Sequence, residues 1–120
     1  MKSKRVLIVD DNDLNRKLFE NLIGQVCLFE SAKNGIEALA LLEENRFDLI
    51  LMDIQMPELD GLSATKIIRS EQQYKNLPII GLSANAMEED IEKAMAVGMN
   101  DYVVKPIEPD ALFKSILSVV

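Results

Sequence analysis

The chain has 120 residues, 48% of them hydrophobic and 28% charged, which is enough for a core without disulfides and too apolar for a disordered segment. Its net charge of −7 argues against a nucleic-acid or anionic-membrane surface and suits a basic partner or a bound cation. With no histidine and one cysteine, it can have no imidazole base, Ser-His or Cys-His nucleophile system, intrachain disulfide, or zinc site of nitrogen and sulfur ligands.

The N-terminal "MKSKRVLIVDD" carries the positive charge of a signal peptide, but only the apolar run 6–9 precedes its acids. No apolar stretch reaches membrane-spanning length, so a cytoplasmic location is expected. A first strand is expected at 5–9, followed by a helix striped by Leu14, Leu18, Leu22 and Ile23 and ending near Gly24. The run 26–29 reads as a second strand, with Cys27 a buried small hydrophobe; Ile36, Leu39 and Leu42 mark the second helix. A third strand at 49–52 runs into Asp53, and Asp60-Gly61 signals a turn or helix start before the stripe of Ala64, Ile67 and Ile68.

A fourth strand at 79–82 leads to "SANAM", where Asn85 and Glu88 read as a capping box. The stripe of Met87, Ile91, Ala94 and Met95 that follows is expected to face the core, with Gly98 ending its helix. The fifth strand falls at 102–104, and Pro109 opens a last helix striped by Leu112, Phe113, Ile116 and Leu117. Five continuous apolar runs alternating with five helices predict an α/β fold with a parallel sheet covered on both faces, as one domain over residues 1–120. Right-handed crossovers leave 2-1-3-4-5 as the expected strand order, with a ligand site where that order reverses, beyond the carboxyl ends of strands 1 and 3.

That edge is where the chemistry-bearing residues fall. Asp10 and Asp11 follow strand 1 and Asp53 follows strand 3; three carboxylates so placed must take up protons or share a cation. An all-oxygen donor set favours magnesium. Strand 4 delivers Ser83 to the same edge and strand 5 delivers Lys105. A cation, an ionised carboxylate, a hydroxyl and an ammonium form a phosphoryl site in which an aspartate is the nucleophile and needs no base at pH 7. Alone, each residue has an ordinary structural explanation: Ser83 a turn hydroxyl, Lys105 a surface charge, Tyr102 a half-buried packing residue. Together they are far more specific.

The motifs "RVLIVDDND", "LILMDIQMPELDGL", "PIIGLSANA" and "GMNDYVVKPI", in this order and spacing, resemble the receiver domains of two-component response regulators over essentially the whole chain. The resemblance implies the flavodoxin-like (βα)5 three-layer sandwich, with Asp53 as phosphoacceptor. It implies magnesium held by Asp11, by Asp10 largely through water, by Asp53, and by the backbone carbonyl of Gln55. Ser83 would hold a phosphoryl oxygen and Lys105 would pair with the phosphate. Ser83 and Tyr102 would form the switch, read out on the face of helix 4, strand 5 and helix 5. Gln55 and Asn85 would flank the site and bear on how fast the phosphoryl group is lost, and the Lys105-Pro106 bond would often be cis. The donor would be a histidine kinase or histidine phosphotransfer protein docking over helix 1 near Leu14, Asn15 and Leu18, and a downstream protein would be the target.

Three functions remain open at this point. The first is a phosphoacceptor signalling domain that is not an enzyme toward other substrates, though it assists its own phosphorylation and dephosphorylation. The second, a phosphatase with an aspartate nucleophile, would place its acid/base two residues after Asp53, where Gln55 stands. The third is a phosphorylation-independent binding module of the same fold. A nucleotide-binding protein is disfavoured, since neither G-x-G-x-x-G nor G-x-x-x-x-G-K-[ST] occurs. The chain stops just after its last helix, so both a stand-alone regulator and a domain of a larger hybrid kinase are expected possibilities.

Overall fold

Apolar runs too short for helices and segments of helical spacing sort, in the computed structural model, into a parallel sheet between two helical layers; residues 3–56, 59–84 and 87–120 are described. In chain order the elements are β1 Arg5–Val9, α1 Asp13–Gly24, β2 Leu28–Ala32, α2 Gly35–Glu44, β3 Leu49–Asp53 and α3 Gly61–Ser70. A 3-10 turn at Gln72–Tyr74 leads to β4 Ile79–Ser83, α4 Glu88–Ala96, β5 Asp101–Val104 and α5 Pro109–Val119. All four strand pairings are parallel and the order is β2-β1-β3-β4-β5, as the alternation predicts.

Side chains alternate across the sheet and build two cores. Leu7, Val9, Ile50, Met52 and Ile79 pack with Ala38 and Leu42 of α2, Ala64 and Ile68 of α3, and Ala94 of α4. Val6, Ile8, Leu49, Leu51, Ile80 and Leu82 pack with Phe19 and Ile23 of α1 and with Leu112 and Ile116 of α5. The three central strands, β1, β3 and β4, are therefore buried on both faces, which is why they read as unbroken apolar runs.

β2 departs from the expectation. The run 26–29 is not the strand: the Val26 and Cys27 amides both donate to the Ile23 carbonyl, prolonging the turn out of α1, and β2 begins at Leu28. It goes on through Glu30 and Ser31 because it is an edge strand, mostly open to water, and needs no continuous apolar run. Cys27 is buried as expected, and burial pushes its thiol pKa up.

The helix stripes differ in phase. Phe19 and Ile23 carry α1, while Leu14 is 80% and Leu18 45% exposed. Ile36 and Ile67 also face water, on helices whose buried faces include small residues (Gly35, Ala38, Ala64), and so does Leu117 of α5, where Leu112 and Ile116 make the buried face. Met87 and Met95 are exposed, contrary to the expected core stripe; in α4 only Ala94 is fully buried. The expected capping box falls on Asn85, outside the described residues; Met87 is the N-cap of α4, so Glu88 stands at its first position rather than its third.

Other punctuation is as expected. Gly24 ends α1, Asp60 caps α3 by accepting from the Ser63 amide, and Pro109 opens α5. Gly98 follows α4 with φ of 108°, a conformation that favours glycine. A side chain there would also meet Arg69 of α3. The Arg69 guanidinium donates to the carbonyls of Gly98 (2.9 Å) and Tyr74 (2.6 Å) and to Oδ1 of Asn100 (2.8 Å).

Phe19→Ala should cost about 3–5 kcal/mol, whereas Leu14→Ala on the same helix should stay within about 0.5 kcal/mol of the parent. Urea denaturation of both variants, with the slope unchanged, checks the phase of α1.

Candidate functional site

Register decides what meets at the carboxyl edge. Val9 of β1 pairs with Met52 of β3, so Asp10 and Asp53, each one residue further on, emerge side by side. Asp53 pairs with Leu82, and Ser83 with Val104, which brings the ends of β4 and β5 to the same edge. The Lys105 amide donates to the Ser83 carbonyl at 2.7 Å, extending that pairing one residue past β5.

The expected site residues thus come together. One carboxylate oxygen from each of Asp10, Asp11 and Asp53 lies within 4.8 Å of the other two. Lys105 Nζ stands 3.3 Å from Asp10 Oδ2 and 3.2 Å from Asp53 Oδ1. Asp10 is wholly buried, Asp53 and Ser83 are 2% exposed, and Asp11 is exposed. The Gln55 amide donates to Asp53 Oδ1 at 3.3 Å. Tyr102 is half-buried on β5, packed against the core under α2, α3 and α4. The Lys105-Pro106 bond is cis. Asn85 lies outside the described residues.

Burial raises the Asp53 carboxyl from its ordinary 3.8 to about 7. The Asp10 charge and a hydrogen bond shared with Asp11 add to the rise, while the charge and hydrogen bond of Lys105 oppose it. Without a cation, therefore, Asp53 is not fully ionised at neutral pH, chiefly because it is buried and secondly because Asp10 stands beside it. A divalent cation would favour release of the Asp53 proton, and the donor set fits one: three carboxylates with no nitrogen or sulfur ligand, suited to a hard ion such as magnesium.

Two contributions to the site escaped the sequence reading, which took Gly61 only as a turn or helix-start signal. Gly61 follows the cap of α3, and its amide donates to the Ile54 carbonyl at 2.9 Å. A Cβ at Gly61 would overlap the Asp53 carbonyl oxygen and lie 2.8 Å from Ile54 Cα, so glycine lets α3 start directly against the end of β3. The other is Arg16 of α1, which donates to the Asp10 carbonyl at 2.9 Å. The only sequence signal for it was a basic residue one turn into a helix that follows two acids.

The raised pKa carries a sign. Between about pH 4 and 7 the folded protein holds a proton on Asp53 that the unfolded chain has lost, so cation-free stability falls as pH rises through this window. Asp53→Asn removes the effect. The variant should be more stable than the parent above pH 7 by on the order of 1–3 kcal/mol, and the difference should vanish below about pH 4. Denaturation of both proteins in chelator across pH checks this.

The comparisons agree with this geometry. The family model for the response regulator receiver domain matches residues 6–117. The polar-differentiation response regulator DivK of Brucella anthropi is 43% identical over 117 residues, covering 96% of this chain and 94% of that protein. The structure of the chemotaxis protein CheY4 of Vibrio cholerae matches with a TM-score of 0.93 at 34% identity, covering 98% of both chains. The receiver domain of the sensor histidine kinase PA1611 of Pseudomonas aeruginosa, solved with a magnesium ion coordinated in its active-site cleft, matches with a TM-score of 0.89 at 36% identity, covering 98% of this chain and 97% of that one. The chain belongs to the response regulator receiver family of two-component signalling.

Proposed function

We propose that Asp53 accepts a phosphoryl group from a phosphohistidine on a partner kinase or phosphotransfer protein. The observation that carries this reading is the Asp53 carboxylate 3.2 Å from Lys105 Nζ, inside a cluster of acids fit for a divalent cation. Magnesium, when bound, would supply positive charge to the phosphoryl oxygens and favour the ionised form of Asp53. Asp10, Asp11, Asp53 and the backbone carbonyl of Gln55 would hold it.

The chain's own residues do the rest. A carboxylate oxygen of Asp53 attacks phosphorus as the bond from phosphorus to the donor imidazole nitrogen breaks, and that nitrogen leaves with the bonding pair. Lys105 moves from carboxylate to phosphoryl oxygen as a partner, keeping its charge within the site. Ser83 donates its hydroxyl to another phosphoryl oxygen. This draws in the end of β4, and Tyr102 turns toward the space released, so the face of α4, β5 and α5 reads out the modification.

The partner docks over α1. Leu14 and Leu18, expected in the core by spacing, are instead exposed beside Asn15, which supports a protein-binding face there. On this reading, residues 1–120 are a signalling unit that acts in the cytoplasm, binds no nucleic acid, makes no membrane contact of its own and turns over no external substrate. The acid cluster and the net charge of −7 support the nucleic-acid and membrane parts of it. Among the described residues, no helix is long and apolar enough to cross a membrane.

Incubated with acetyl phosphate and magnesium, the protein should gain one phosphoryl group by intact mass. The gain should disappear with chelator or with Asp53→Asn, and Lys105→Ala should slow it by on the order of 10²-fold. A blank with both acetyl phosphate and a phosphorylated histidine kinase would sink the proposal in favour of a phosphorylation-independent binding module. Magnesium at ten times its dissociation constant should stabilise the protein by about 1.4 kcal/mol, read as a rise in Tm that Asp11→Asn diminishes.

A further inference from the structure

We infer, on the reading of the acid cluster as a cation site given above, that Arg16 is a positioning residue for that cation, acting through the peptide that joins Asp10 to Asp11.

Asp10 is held on every side. Its amide donates to the Ala32 carbonyl at 3.1 Å, its Oδ1 accepts from the Asn12 amide at 2.9 Å, and its Oδ2 faces Lys105 Nζ at 3.3 Å. Asp11 is different: it is exposed, at the start of the turn into α1, and its carboxyl shares a hydrogen bond with Asp53. Its backbone orientation follows from the peptide plane before it. That plane is rigid and carries the Asp10 carbonyl at one edge and the Asp11 amide at the other.

Arg16 holds this carbonyl. Its Nη1 donates to Asp10 O at 2.9 Å, while Nη2 pairs with the Asp13 carboxylate. The side chain is only 20% exposed, so the guanidinium is seated rather than trailing in solvent. Its backbone is fixed as well, the Arg16 amide donating to Asn12 O at 2.9 Å in the first turn of α1. The planar fork thus ties the Asp10–Asp11 peptide to the helix start with two nitrogens in fixed relation, which a single ammonium cannot reproduce. Outer groups that orient metal ligands set affinity without touching the ion.

The test is calorimetric titration of the protein with magnesium alone, beside the magnesium dependence of phosphorylation by acetyl phosphate. Arg16→Gln should weaken magnesium binding about 10-fold, while the phosphorylation rate at saturating magnesium stays within about two-fold of the parent. Arg16→Lys, which keeps the charge, should recover only part of the affinity. Asp13→Asn, which frees one nitrogen of the fork, should weaken binding about two- to three-fold. If Arg16→Gln fails to fold, the other two variants carry the test.

Unchanged affinity in folded Arg16→Gln would overturn the proposal. So would full recovery in Arg16→Lys, which would make bulk charge the cause, or a lowered limiting rate at unchanged affinity, which would put Arg16 on the phosphoryl donor. A parent protein that binds magnesium but never gains a phosphoryl group would defeat the phosphoacceptor reading alone. One that binds no magnesium would defeat both.

Discussion

Two carboxylates held out of water beside one another are the constraint around which this protein is organised. Asp10 and Asp53 leave neighbouring strands at a point where both are almost wholly buried, and a third acid stands within 4.8 Å. One ammonium, from Lys105, faces both buried acids. Burial first, and then the charge of Asp10, raise the Asp53 pKa, and the single ammonium only partly opposes them. Three carboxylates gathered in this way could hold a divalent cation.

Such an arrangement opposes folding, so it has to be imposed by rigid parts. The strand order puts β1 beside β3, and their register brings the two acids out together. The two apolar cores then fix the strands from above and below. Close approach supplies the rest: α3 begins so near the end of β3 that Gly61 has no room for a side chain. The acids are thus positioned by elements that have no other way to pack, and the free energy held at the site comes from burial elsewhere.

Much of this was legible in the sequence because the relevant signals are local. Each central strand is buried on both faces and leads straight to a candidate site residue, so the apolar run and the Asp10, Asp53 or Ser83 at its end can be read together. The alternation of runs and stripes is enough for the topology. β2 was misplaced because an edge strand needs little hydrophobicity, and the more apolar run 26–29 lay just before it. The stripes slipped in phase wherever small residues made the contact: spacing favoured Leu14 and Leu18 over Phe19, and large Met87 and Met95 over Ala94. The contacts of Arg16 and Gly61 went unread for another reason. What each does depends on a carbonyl oxygen brought near by the fold, and backbone atoms leave no trace in a pattern of side chains.

The three hydrogen bonds of Arg69 make α4 unequal at its two ends. Its last turn leads into a segment gripped by another helix: the guanidinium reaches Gly98 and Asn100, and Asn100 in turn accepts from the Ile79 amide of β4 at 2.9 Å. Its first turn, nearest the acids, has Met87 as N-cap with no side-chain hydrogen bond. The Gly98 end of α4 is therefore tied both to α3 and to the sheet, while Met87 at the other end is a large apolar side chain standing in water.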